Sequence, residues 1–129
     1  QDETEHLLEL KEENFPVVLV DRIFDDIETH AVITDNLGDA YKATQFLVDN
    51  GHREIGFISG RPNIYTIKNR LEGYKKCLED NHIPLRSQWI SPGGFILDSG
   101  YQGTREILRA GNRPTAILTS GNLITIGAI

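Results

Sequence analysis

The chain has 129 residues, the length of one domain, and 39% of them are hydrophobic. Its 13 Lys and Arg against 19 Asp and Glu give a formal net charge of −6. This composition excludes a disordered segment. No apolar run approaches the roughly 20 residues of a membrane-spanning helix, and the acidic amino terminus has no apolar signal core. We therefore expect neither a transmembrane helix nor a secretory signal.

The charge is unevenly distributed along the chain. Residues 1–35 hold 11 acidic and 2 basic residues, whereas residues 36–129 hold 8 acidic and 11 basic residues. Neither part has the dense Lys/Arg cluster with interleaved aromatic residues that is typical of a nucleic-acid-binding surface. The change of sign near residue 35 predicts a structural boundary there.

The residues that most often carry chemistry show no catalytic or metal-binding pattern. A single cysteine excludes an internal disulfide and is typical of a reducing compartment such as the cytoplasm. The four histidines have no metal-ligand spacing. The chain contains no G-x-S-x-G elbow, no P-loop and no G-x-G-x-x-G turn. We therefore expect no metal, no cofactor and no enzymatic activity. The residues concerned are Cys77, His6, His30, His52 and His82.

Helices and strands are predicted to alternate along the chain. The predicted elements are a helix over 2–13, a buried strand over 16–20, a short strand over 31–34, a helix over 36–50, a strand over 54–59, a helix over 64–81, a strand over 88–90, a helix between 98 and 112, a strand over 115–119 and a helix that begins at 123. The buried face of the first long helix is expected to include Leu37. That of the helix after residue 98 is expected to include Tyr101, Thr104 and Leu108, with Ile107 alongside.

The stretch over 54–73 carries the clearest signal. An uncharged apolar run predicts a buried parallel strand, and a stripe with spacings of 3, 4, 3 and 4 predicts the helix that follows. That helix carries Thr66 and Arg70 in its opening turns. The strands near 54, 88 and 115 lie roughly 30 residues apart with one helix between each pair, which is the spacing of a parallel sheet. The loops after them open at one edge, where ligands bind in open α/β sheets.

Two further features of the sequence concern the first strand and the ends of the chain. Asp21 and Arg22 follow the predicted strand over 16–20, either as a solvated strand end or as a pair on the rim of a cleft. The chain begins inside a predicted helix and has a single convincing strand before residue 35, too little for a sheet with its own core. We therefore expect it to be part of a larger protein.

A recognisable series of motifs runs through positions 15–129. FPVVLVDR is followed by DN-x-x-D-A, GHREIGFISG, NRLEGY, GGF…SGY and RPTAILTSGNLITIGA. Their order and spacing resemble the effector-binding core of the lactose-repressor family of transcriptional regulators.

The resemblance implies a two-lobed α/β fold with Rossmann-like parallel sheets, similar to the type I periplasmic binding proteins, of which this chain would hold an incomplete part. Residues 1–35 would be the end of the first lobe, and 36–129 most of the second. It implies a small sugar or sugar-derived effector in the cleft, a homodimer and operator DNA bound by a helix-turn-helix that precedes such a core and is not in these 129 residues.

The family pattern also assigns site residues. Arg70 stands at the position of the ligand-clamping arginine, whose fork of donors suits hydroxyls or a carboxylate. The other positions that resemble ligand contacts are Ile64, Thr66, Phe95, Asn122, the cleft-rim Asp21 and the crossover Asp35.

The chain departs from the family pattern after its last strand. The family's Asn-Asp pair is Gly121-Asn122 here, so a neutral amide replaces a carboxylate that accepts bonds from sugar hydroxyls. We therefore hypothesise an acidic or phosphorylated sugar as effector. A sugar-binding protein of a transport system, with the same fold and cleft, is the alternative function.

Overall fold

The computed structural model describes residues 4–91, 93–94 and 97–129. The chain divides into two compact units, residues 1–34 and residues 35–129. The helices are α1 (Glu5–Glu12), α2 (Asn36–Asp49), α3 (Tyr65–Asp80), α4 (Leu97–Arg109) and α5 (Asn122–Ala128). The strands are β1 (Val18–Val20), β2 (His30–Val32), β3 (Ile55–Ile58), β4 (Ile90–Ser91) and β5 (Ala116–Thr119). Across these described ranges, no helix has the length and apolar character needed to span a membrane.

The amino-terminal unit contains α1 and a two-stranded parallel sheet of β1 and β2. The prediction that the first strand is buried is wrong, because Val18 and Val20 on β1 are both exposed, Val20 by 73%. A run of β-branched residues favours an extended backbone and does not by itself provide a layer that covers it.

The carboxyl-terminal unit is built on a three-stranded sheet in the order β4-β3-β5. Both pairings are parallel, with Phe57 opposite Ile90 on one side and Leu118 on the other. All four residues of β3 are buried. The predicted βαβ arrangement of a parallel sheet is therefore confirmed.

Apolar clusters lie on both faces of this sheet. On the face of α2 and α3, the rings of Phe57 and Tyr74 pack with centroids 5.0 Å apart. The Tyr74 hydroxyl donates a hydrogen bond of 2.8 Å to the carbonyl oxygen of Ile55. On the other face, Ile58 packs with residues of α4 and α5. The second cluster consists of Ile58, Trp89, Ile107 and Ile124. The two clusters together hold β3 between two layers of helices.

A glycine brings α2 and α3 unusually close together. A Cβ atom at Gly73 would collide with the main chain of α2 at the carbonyl oxygen of Leu37. Leu37 itself is exposed, so its predicted place on the buried face of α2 is wrong. Because the contact uses backbone atoms, the leucine side chain is not needed to fill the interface. The close approach places the start of α2 beside the third turn of α3, one turn after Arg70.

The predicted buried stripe of α4 is also wrong. Tyr101 and Leu108 are exposed, while Gly100, Gly103 and Ile107 are buried. A Cβ atom at Gly100 would collide with the carbonyl oxygen of Ile124 on α5. Gly100 faces the core because α4 and α5 touch through their backbones there, whereas Tyr101 and Leu108 are directed outward.

Candidate ligand-binding site

The carboxyl ends of β3, β4 and β5 meet at one edge of the sheet. The Ser59 amide donates to the carbonyl oxygen of Ser91 at 2.9 Å, and the Ser120 amide donates to that of Ile58 at 3.0 Å. Gly93, two residues after the end of β4, lies so close to Ser59 that a Cβ atom on Gly93 would collide with the Ser59 carbonyl oxygen. Main-chain groups therefore pack tightly where the sequence predicts converging loops.

Arg70 reaches this edge from the second turn of α3. Its Nε donates to Oδ1 of Asn36 at 2.8 Å, and its Nη1 donates to the carbonyl oxygen of Ser120 at 2.7 Å. Both acceptors are neutral, and Arg70 forms no ion pair with a carboxylate in the described part of the chain. Since a guanidinium has five N–H donors, three are left for a ligand on a side chain that is already held in place.

The start of α2 supplies the partner of Arg70. The Asp35 side chain caps this helix by accepting a hydrogen bond of 3.0 Å from the Gly38 amide. This cap fixes the first turn, and the next residue, Asn36, is buried with its amide oxygen toward Arg70. Asp35 thus holds the helix whose first residue orients the arginine.

The start of α3 carries two of the residues that the sequence predicts as ligand contacts. Ile64 is half-buried and precedes the helix as its N-cap, with no side-chain cap hydrogen bond. Thr66 is buried, and its hydroxyl forms no hydrogen bond with the described residues. A polar group at this helix start is a suitable ligand contact, whereas Ile64 offers only an apolar surface.

Of the other predicted site residues, Asn122 lies near this edge, Asp21 lies in the amino-terminal unit and Phe95 lies outside the described residues. Asn122 is exposed at the first position of α5, two residues after Ser120. Asp21 belongs to the amino-terminal unit, where it has a positive φ of 55° and accepts a long hydrogen bond of 3.5 Å from the Thr34 hydroxyl. Phe95 lies outside the described residues.

Three residues at this edge were not predicted as site residues. Asn36 begins α2 and was not predicted to have a role in the site, yet it orients Arg70. Ser59 follows the buried strand β3 and Ser120 follows the partly buried strand β5, and their hydroxyl oxygens are buried with no hydrogen-bond partner in the described structure. A polar residue that closes an apolar strand on the ligand edge of a sheet is the sequence signal that could have found both serines.

The side chains whose pKa values are shifted lie away from this edge. Burial raises the pKa of the Tyr74 hydroxyl well above its usual value. Burial, and then the Asp80 carboxylate, also raise the pKa of the Cys77 thiol, which packs in the core between α2 and α3. A raised pKa keeps the thiol protonated and therefore unreactive. No group of three or more potential metal ligands occurs within the described ranges.

A parallel α/β sheet with a fixed arginine at its carboxyl edge is an arrangement suited to binding a small molecule. The model of the family of periplasmic binding proteins and the sugar binding domain of the LacI family matches residues 1–129. The chain belongs to this family, and the predicted fold class is confirmed.

Curated relatives are transcriptional repressors. The chain is 38% identical to the HTH-type transcriptional repressor PurR of Yersinia pestis over 101 residues, which are 78% of this chain and 30% of the relative. It is 34% identical to PurR of Actinobacillus pleuropneumoniae over 116 residues, 90% of this chain and 34% of that protein. The chain thus spans about a third of the length of these relatives.

Solved structures show the same fold. A putative ribose operon repressor from Burkholderia thailandensis superposes with a TM-score of 0.84 at 33% identity, over 99% of this chain and 47% of that one. A sugar-binding LacI-family regulator from Escherichia coli, complexed with phosphate, superposes with a TM-score of 0.80 at 27% identity, over 97% of this chain and 45% of that one. Both similarities cover almost the whole chain and about half of the neighbour.

Proposed function

We propose that this chain is part of the effector-sensing core of a LacI-type transcriptional repressor. Residues 1–35 form the end of its first lobe and residues 36–129 most of its second, and a sugar or sugar-derived effector binds in the cleft between the lobes. The observation that carries the proposal is Arg70, which two neutral oxygens hold at the ligand edge of the sheet, with three N–H donors that no described residue uses. The relatives and structures named above support the regulatory role.

The same hydrogen bonds offer a route from effector to DNA. Arg70 joins α3 to β5 and to the first residue of α2, which lies one residue beyond the boundary between the two compact units. An effector that hydrogen-bonds to the guanidinium of Arg70 changes the contact of Arg70 with Asn36 at this crossover. It thereby favours one arrangement of the lobes over the other. By linkage, the preferred arrangement then changes the affinity for operator DNA.

The complete protein, in this proposal, is a cytoplasmic homodimer without a catalytic role. It binds operator DNA through a helix-turn-helix segment that is separate from these 129 residues. The exposed sides of α4 and α5, which include Tyr101 and Ile126, are candidate dimer contacts. Asp21, Phe95 and Ile64 are proposed to complete the ligand contacts of Arg70, Thr66 and Asn122.

Ligand-dependent stabilisation tests the proposal. In the complete natural polypeptide, a ligand at 100 times its dissociation constant should raise the free energy of unfolding by about 2.7 kcal/mol. We expect a thermal shift with at least one probe among ribose, ribose 5-phosphate, glucose, glucose 6-phosphate and gluconate. Arg70→Gln should abolish the shift, because it removes the fixed donors.

A matched substitution separates the loss of a donor from the loss of charge. Lys68 is exposed on the same helix, so Lys68→Gln removes one positive charge and should leave the thermal shift intact. The same probes are then added to the protein bound to operator DNA. A ligand that binds without changing DNA affinity would contradict the repressor and favour the transport alternative. Full retention of the shift in Arg70→Gln would contradict the site.

A further inference from the structure

Two buried hydroxyl groups at the ligand edge have no partner among the described residues. Ser59 and Ser120 are 4% and 2% exposed, and neither Oγ has a hydrogen-bond partner in the described structure. The large majority of buried side-chain polar atoms in proteins are hydrogen-bonded. We call these two residues the serine pair.

Strand geometry places the serine pair side by side. Phe57 and Leu118 are partners in the parallel register of β3 and β5, and both pack in the cluster beneath α2 and α3. Side chains alternate along a strand, so Ser59 and Ser120, two residues further on, occupy the same face. The ladder continues through them, because the Ser120 amide still donates to the carbonyl oxygen of Ile58.

The arginine of the proposed site lies over this position. Nη1 of Arg70 donates to the carbonyl oxygen of Ser120 itself, and its Nε donates to the buried Asn36 at the start of α2. The serine pair, Arg70 and Asn36 therefore belong to one polar cluster at the end of the sheet.

We propose that the serine pair is the floor of the effector site and donates hydrogen bonds to an anionic group, a phosphate or a carboxylate, that Arg70 also holds. This inference rests on the function proposed above and specifies the ligand for that site. The neutral Asn122 at the same edge adds no negative charge that would repel the anion.

The balance of donors favours an anion over a sugar hydroxyl. Arg70 has three N–H groups that no described residue uses and that can donate but cannot accept, and each serine hydroxyl supplies one further donor beside its acceptor lone pairs. Phosphate and carboxylate oxygens are acceptors at neutral pH, whereas each sugar hydroxyl brings a donor of its own that also needs a partner. Charge-assisted hydrogen bonds are in addition the stronger kind.

Burial limits the size of the group that reaches the floor. Both hydroxyl oxygens are covered by protein atoms, so binding requires local opening of the edge. The loop over 61–63 and Asn122 are exposed and border that edge. A small opening admits only a compact group such as a phosphate or carboxylate to the two hydroxyls. The rest of the effector then lies nearer to solvent.

Serine-to-alanine substitutions in the complete natural polypeptide test the floor. Ser59→Ala, Ser120→Ala and the double variant are titrated calorimetrically with ribose 5-phosphate, glucose 6-phosphate, gluconate and inorganic phosphate, and with ribose and glucose as neutral counterparts. For an anionic probe that binds the wild-type protein, we expect each single substitution to lower the affinity by about tenfold and the double substitution by about a hundredfold. One hydrogen bond to a charged group is lost with each serine. Affinity for a neutral counterpart should change less than about twofold.

Ser91→Ala is the matched control. Ser91 is a buried serine that ends the neighbouring strand β4, but it pairs with Ile58 and lies against Gly103 of α4, on the opposite face of the sheet. Its substitution should leave affinity for every probe unchanged. The melting temperature without ligand should be unchanged or higher in the serine-pair variants, because the hydroxyls that they lose are unpaired.

The possible results separate the floor from the proposed function. If the double variant binds an anionic probe as tightly as the wild-type protein does, the serine pair is not the floor of the site, and the proposed function still stands. A lower melting temperature with unchanged affinity would also overturn the floor, and would assign the hydroxyls to a structural water. Equal affinity for an anionic probe and its neutral counterpart would contradict the inference that the site binds an anionic group. If the wild-type protein binds none of the probes, the proposed function fails and the floor fails with it.

Discussion

The two compact units differ in how their strands are covered. In the amino-terminal unit, the valines of β1 and β2 are exposed, and the buried residues of its described part are Thr4 and Ile27. In the carboxyl-terminal unit, every residue of β3 is buried between two helical layers. Both units contain parallel strands of apolar residues, so the difference lies in the surrounding layers and not in the strands.

This contrast indicates where the stability of the chain resides. Burial of apolar surface is the dominant favourable contribution to folding, and the buried clusters belong to residues 35–129. The proposed ligand edge is built on this better-packed unit, which suits a site that depends on fixed hydrogen bonds. Substitutions in the two units should therefore have very different effects.

The largest effect is expected for Phe57→Ala in β3. Phe57 is fully buried and packs on Tyr74, so truncation should lower the free energy of unfolding by about 4 kcal/mol through lost burial and a cavity. Urea unfolding followed by the fluorescence of Trp89 measures this, because the chain has one tryptophan and it is buried in the same unit.

Phe15→Ala in the amino-terminal unit is the matched control. Phe15 is 60% exposed, and a surface substitution of this kind should change the free energy of unfolding by less than about 0.5 kcal/mol. A large loss in Phe15→Ala would show that the amino-terminal unit contributes a core of its own and would break the contrast.

Gly73→Ala is expected to have the second-largest effect. Alanine normally favours a helix by about 1 kcal/mol over glycine, but here the added methyl group collides with the main chain of α2. Overpacking should reverse the sign and destabilise the chain by about 3 kcal/mol in the same urea experiment. Gly111→Ala, where the added atom meets nothing within 4 Å, should be nearly neutral. Equal stability of the two variants would mean that α2 and α3 are less tightly packed.

The sequence predicted elements that rely on side chains and failed on α4, where the backbone decides. The apolar run of β3 and the stripe that contains Tyr74 located β3 and α3 within one or two residues. The stripe of α4 was misplaced, because Gly100 and Gly103 share its core contact with Ile107, whereas Tyr101 and Leu108 do not. Hydrophobic periodicity weighs large side chains and gives no weight to a glycine that allows two helices to touch.

The candidate site was only partly predictable for a related reason. The order of strands and helices predicted that the loops converge, and family resemblance pointed to Arg70. Neither indicates that Asn36 and the Ser120 carbonyl hold the guanidinium, since those residues lie 34 and 50 positions away along the chain. Such partners depend on strand register and on the close approach of α2, which a single sequence does not encode in any local pattern.

Tyr74→Phe should have a smaller, pH-dependent effect. Removing the buried hydrogen bond to the Ile55 carbonyl should cost about 1 kcal/mol near neutral pH. Burial raises the pKa of Tyr74 above its usual value of 10.0, so the folded chain holds the phenol proton more tightly than the unfolded chain. That contribution is fully present below pH 10 and is lost as the pH rises above it.

Urea unfolding of both proteins between pH 8 and about pH 11 measures the effect, and the difference between them isolates Tyr74 from the lysines that also titrate there. The stability of wild type should fall more steeply above pH 10 than that of Tyr74→Phe. Parallel profiles would mean that the phenol reaches solvent before the chain unfolds.

The smallest effect separates helix capping from ligand contact at Asp35. Asp35→Ala removes the acceptor of the Gly38 amide and should cost about 1 kcal/mol, whereas Asp35→Asn retains a capping oxygen and should cost a few tenths. If Asp35 also touches the effector, Asp35→Asn will change effector affinity while the urea midpoint stays near that of wild type. A loss of stability in Asp35→Asn as large as in Asp35→Ala would instead show that the negative charge at the start of α2 matters more than the hydrogen bond. The coupling of Arg70 to the crossover would then depend on electrostatics at this helix end.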